Sequence, residues 1–238
     1  MRCTVKLVLP GLAMLFCSGC TWLIPEETPE WKRQIEARLR TPVNFGELED
    51  IKDLCDYLRA LKRVDFVLDP PALRKAEWKP VAATDGRKRV DVVLDRVCRL
   101  YGLAWAIMDE AVVITTPQRL EAWRRQPTMV YDREAFRPFE ERLKRRVSFC
   151  FVATPLEDCV AFFRNLMNVS IVVNKQALEG RPDTDLTLRL DTEEVSFRSA
   201  LMWTCRMLDL GWTVRNGAIY ISTHGPDLVP NTKGKPGR

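Results

Sequence analysis

Apolar and polar residues alternate along Val147, Phe149 and Phe151, the period of a half-buried strand. The period then lengthens. Leu156, Cys159, Val160, Phe163, Leu166 and Met167 recur at i, i+3 and i+4, giving a helix with one apolar face. Thr154 stands as its N-cap, Pro155 in the first turn and Glu157 at the third position. Short alternating runs at SIVVN (170–174) and LTLRL (186–190) predict two further strands. Phe197, Ala200, Leu201, Thr204, Cys205 and Leu208 mark a second amphipathic helix. WTVR and AIYIS, separated only by Asn216-Gly217, predict a closing hairpin. The order is β-α-β-β-α-β-β, and a small sheet with two helices must bury all its apolar faces together.

The pattern occurs twice. CRLYGLAW (98–105) and CRMLDLGW (205–212) match at a spacing of 107, as do Val112 with Ile219, Ile114 with Ile221 and Thr116 with Thr223. Upstream, VDFVLDPPAL (64–73) falls on VSIVVNKQAL (169–178), and IEARLRTPVNF (35–45) on FEERLKRRVSF (139–149). The offset changes only where loops fall, as expected of a duplicated unit. The predicted fold class is α+β: two β-α-β-β-α-β-β modules in tandem, at 35–116 and 139–224, each with two helices on small mixed sheets. The first copy is the more divergent. Its opening strand is reduced to VNFGEL, Pro80 in KPVAA marks an edge, and its hairpin turns through Asp109-Glu110. The connector at 117–138 is Arg-rich, holds Pro117, Pro127 and Pro138, and has room for a short helix around Arg119–Arg125.

The N-terminus reads as a targeting segment. Arg2 and Lys6 precede the apolar run LVLPGLAMLF (7–16), too short to span a bilayer, and small residues lead into CSGC (17–20). Residues 1–20 then form a signal peptide with a lipobox-like end and Cys20 as the lipidated residue; an ordinary secretory signal cut nearby is the alternative. Thr21 after the cysteine suits an outer-membrane lipoprotein facing the periplasm. Residues 21–34 read as a tether and 225–238 as a disordered tail. Without Arg2 and Lys6, 35 basic residues remain against 32 acidic, interspersed along the chain, which gives no footprint for nucleic acid.

VSFCFVATPLEDCVAFF, VSIVVN, TLRL, SFRSALMWTCRMLDLGW and AIYIS resemble, in that order, the STN module, the short N-terminal domain of secretins and TonB-linked receptors. The likeness covers nearly all of 143–223 and, more weakly, 39–116. Its motifs set packing and turns. The resemblance implies a partner class, secretin-type or TonB-linked envelope machinery, and a non-catalytic role as a protein-interaction module. A peptide, glycan or other small ligand held in the cleft between the copies is the alternative.

No residue set points to catalysis, a cofactor or a metal. His224 stands alone, without converging ligands. Glu157 and Asp158 suit a helix N-terminus. Cys55 with Cys98 and Cys159 with Cys205 place one thiol in each helix of each copy. They are candidate disulfides in an oxidising compartment, or buried thiols acting as small hydrophobes, while Cys150 has no counterpart. Trp105 and Trp212 begin the closing hairpins, where burial is expected over ligand stacking. Arg99 and Arg206 are expected at the solvent rim, and Arg142–Arg146 as a solvated helix end.

Overall fold

The computed structural model describes residues 28–70, 74, 86–225 and 228. The signal segment with Cys20, the KPVAA strand and most of the tail lie outside these residues. In chain order, the first half holds α1 (Glu30–Arg40), β1 (Pro42–Val43), α2 (Ile51–Lys62), β2 (Asp65–Leu68), β3 (Lys88–Arg89), α3 (Val90–Leu100), β4 (Ala104–Met108) and β5 (Ala111–Thr115). The connector forms α4 (Pro117–Arg125) and α5 (Arg133–Phe136), and after a 3-10 turn α6 (Glu140–Lys144) leads into the second half. The second half is β6 (Arg146–Pro155), α7 (Leu156–Met167), β7 (Ile171–Val173), β8 (Thr187–Ser196), α8 (Phe197–Met207), β9 (Leu210–Arg215) and β10 (Ala218–Thr223). The architecture is α+β, with two three-stranded and two two-stranded sheets among these residues. None of the described helices is long and apolar enough to cross a membrane.

The two larger sheets share one plan. Strand order is β2-β5-β4 in one and β7-β10-β9 in the other, and in each the central strand is parallel to the first and antiparallel to the last. Phe66 pairs with Val112 and Ile171 with Ile219, the residues that the sequence repeat superposes. Left-handed backbone recurs at the same spacings. Arg63 and Asn168 cap α2 and α7, Gly102 and Asp209 follow α3 and α8, and Asp109-Glu110 and Asn216-Gly217 turn the hairpins. Both turn residues have φ > 0, the geometry that matches strand twist.

Side-chain alternation splits the first sheet between two cores. Phe66, Val112, Ile114, Trp105 and Ile107 face α2 and α3 of their own half. Val67, Ala111, Val113, Ala104, Ala106 and Met108 face the other way and join the core of the second half, with Phe163, Phe197, Trp203 and Trp212. A sheet covered on both faces explains why all of AVVIT (111–115) is buried rather than alternating. The halves are therefore fused through a shared core rather than strung on a linker.

Several expectations shift. Thr154 belongs to β6, and α7 starts at Leu156 with no side-chain cap; Glu157 and Asp158 remain in its first turn. Residues 30–34, read as tether, are the first turns of α1, where Ile35 and Leu39 are buried. β8 runs on to Ser196, well beyond LTLRL. The connector does more than link, because residues 128–130 extend the second sheet. Trp212 N–H donates to the Thr128 carbonyl (2.8 Å), Val130 N–H to the Trp212 carbonyl (3.0 Å) and Thr213 Oγ1 to the Val130 carbonyl (2.8 Å). The β9 edge is thereby paired rather than left open.

Candidate functional site

The hairpin tip of the first half plugs into the second. At Asp109-Glu110 two non-glycine residues hold left-handed backbone, a strained choice whose side chains are both used. The Asp109 carbonyl accepts the Trp203 indole N–H (2.9 Å), and its carboxylate pairs with the Arg206 guanidinium. The Glu110 carboxylate accepts the Ser196 N–H (3.0 Å) and pairs with Arg146. Arg206 is 5% exposed and lies over the Trp203 ring, 5.1 Å from its centroid, so it is an interface residue and not the solvent-rim cation expected. Arg99 is exposed. Behind the tip, Arg119 of α4 reaches Asp69 (2.7 Å) and Asp209 (3.0 Å), with Thr115 Oγ1 donating to Asp69 (2.7 Å).

Beside this seam runs a groove of about 1190 Å³. One wall is helical, carrying Trp31, Gln34 and Arg38 from α1 and Ala60 and Arg63 from the end of α2. The opposite wall is the β6–β8 ribbon, with Ser148, Asp191, Glu193 and Glu194. Ile35, Val64 and Val195 are buried at its base. Three links tie the ribbon to the first half of the chain. Arg59 reaches Asp191 (3.2 Å) while also donating to the Phe66 carbonyl (2.8 Å), Arg146 pairs with Glu110, and Asp65 of β2 accepts the Glu193 N–H. Asp65 is 7% exposed, and burial pushes its carboxyl up to about 6, against the opposing pull of the Glu193 N–H and Arg59.

The ribbon is irregular where it meets the groove. Val147 pairs with Val195 and Phe149 with Thr192, so Ser148 alone opposes Glu193 and Glu194. This is a bulge, with Glu194 in left-handed backbone and its N–H donating to Ser148 Oγ (2.9 Å). Bulges re-aim side chains, and here two consecutive carboxylates line one groove instead of falling on opposite faces.

The residues singled out from sequence are scattered. Cys55, Cys98, Cys159 and Cys205 are buried, Cys150 is exposed and all five are free thiols, so neither Cys55–Cys98 nor Cys159–Cys205 is bridged in the structure. Burial pushes the Cys98 and Cys159 thiols up to about 12 and raises those of Cys55 and Cys205 as well, which disfavours their thiolate forms. Trp212 is fully buried against Phe136, and Trp105 donates its indole N–H to Asp95 (2.8 Å). Glu157 makes an exposed pair with Lys175 (3.0 Å). His224 lies beside Gly211, and burial lowers its pKa. Of the basic run, Arg146 belongs to the groove while Lys144 pairs with Glu141 at the surface.

Sequence reasoning missed Asp65, Arg59, Glu193 and Glu194. The available signal was TEEV (192–195), where alternation breaks inside a strand, the mark of a bulge. The groove offers fixed charges of both signs, an apolar base and one indole. No protein-family model matches the chain, and no curated protein or solved structure matches it.

Proposed function

We propose that the chain is a non-catalytic, lipid-anchored binding protein of the bacterial envelope, held at the outer membrane through Cys20 and facing the periplasm. Its groove between the helical wall and the β6–β8 ribbon receives a segment of a partner protein. The observation that carries this reading is the groove itself, partly open to solvent and lined mainly by charged side chains. Small-ligand sites are enclosed and largely apolar, burying most of their ligand. An open charged trough suits a polypeptide instead. The likeness to STN modules supplies the partner class, secretin-type or TonB-linked machinery.

Ala60 is exposed on the helical wall, so Ala60→Trp fills the groove without entering either core. A tagged wild-type chain should retain a defined envelope partner that Ala60→Trp loses. Lys175→Trp, outside the groove, should retain it. Equal retention by Ala60→Trp would contradict the assignment.

A further inference from the structure

Four charged side chains lining the groove lack an oppositely charged partner within ion-pair distance among the described residues, and they divide by wall. Arg38 and Arg63 stand on the helical wall; Arg38 donates only to the Arg63 carbonyl, and Arg63 ends α2 with left-handed backbone. Glu193 and Glu194 stand on the ribbon wall, presented together by the bulge. The other lining charges are already engaged: Arg59 with Asp56 and Asp191, Arg146 with Glu110, and Asp65 with the Glu193 N–H. The uncompensated charges do not reach across the gap to one another, so the groove separates two cations from two anions.

Resting on the reading of the groove as a polypeptide site, we infer that its ligand is an extended segment in which basic and acidic side chains alternate, the basic ones facing the ribbon and the acidic ones the helices. An extended chain turns successive side chains to opposite sides. Lying between two walls of opposite sign, it satisfies both only if its charges change sign at every residue. A polycation meets Arg38 and Arg63, and a polyanion, nucleic acid included, meets Glu193 and Glu194. Each suffers like-charge juxtaposition on one side, and this repulsion gives the groove its selectivity.

The test uses the full chain and labelled decapeptides read by fluorescence anisotropy at low salt. One alternates lysine and glutamate, a block peptide of the same composition places all its lysines before all its glutamates, and a neutral one alternates serine and threonine. The alternating peptide should bind at least tenfold more tightly than the other two. Glu193→Lys/Glu194→Lys and Arg38→Glu/Arg63→Glu should each lower its affinity about tenfold. Combining all four substitutions reverses both walls, and the same peptide, shifted by one residue, fits again, so affinity should return. Equal binding of the block peptide, no binding of the alternating peptide, or a fourfold variant as weak as the double ones would overturn the inference. Failure of the underlying reading looks different: peptide binding would then be indifferent to Ala60→Trp. Neutral peptide binding that Ala60→Trp removes would leave the groove as the site and discard the charge rule.

Discussion

Both carboxylate oxygens of Asp65 accept the backbone N–H of Glu193, at 3.0 and 3.2 Å, across 128 residues of chain. One contact thus joins the edge strand of the first sheet to the bulge that shapes the groove. Burial raises the Asp65 carboxyl to about 6, above its ordinary value of 3.8. Between roughly pH 4 and 6 the folded chain therefore holds this proton more tightly than the unfolded chain. The stability linked to it is complete below pH 4 and is lost as pH rises through 6. Asp65→Asn removes the titration. Urea unfolding of both proteins should show the wild type losing on the order of 2–3 kcal/mol relative to the variant between pH 4 and 7. Parallel pH profiles would refute this.

Arg206 is a buried cation answered by Asp109 from the other half. Asp109→Asn keeps the left-handed turn, which asparagine tolerates, but removes the countercharge. The cost should be about 3 kcal/mol, the price of an unpaired buried cation. Asp109→Asn/Arg206→Met should recover most of it. A double variant no more stable than Asp109→Asn would show that the pair is not what holds the hairpin tip.

The shared core predicts one folding unit. Val112 and Val113 point to opposite faces of the first sheet, one into each core. Val112→Ala and Val113→Ala should each cost about 2 kcal/mol and shift the same single calorimetric transition. Residues 35–116 alone would expose the Val67, Ala111 and Val113 face and should not fold stably. Two separable transitions would contradict the fused architecture.

Much of this was legible where the determinants are local. The alternation at Val147, Phe149 and Phe151, the helix faces, and Asn216-Gly217 each depend on a few adjacent residues, and the structure carries them with one exception: Leu166, expected on the apolar face of α7, is exposed. The seam was not legible, because its partners are distant. Arg206 reads as a surface cation until Asp109, 97 residues earlier, is brought to it. Residues 128–130 carry no strand pattern, since what places them is the open edge of β9 at Trp212. The bulge hid both the full length of β8 and the pairing of Glu193 with Asp65.

Gly211 shows how tightly that edge is closed. A Cβ there would collide with Leu228 Cδ1 and lie 3.2 Å from both His224 Nδ1 and the Thr128 carbonyl. Gly211→Ala should destabilise by about 1–3 kcal/mol, with Leu228→Ala relieving only part of it, since the Thr128 backbone still crowds the methyl. Chemical denaturation checks both. A neutral Gly211→Ala would mean that the 128–130 strand moves away freely.

Site-specific photo-crosslinking in cells tests the binding claim most directly. Gln34 is exposed on the helical wall of the groove, and Lys175 is exposed outside it. A photoreactive residue at Gln34 should give a discrete adduct with one envelope protein, its crosslinked peptide extended and of mixed charge, and the same probe at Lys175 should not. Identical adducts from the two positions, or none from Gln34 under conditions where the chain is folded and anchored, would contradict the assignment of the groove as the binding site.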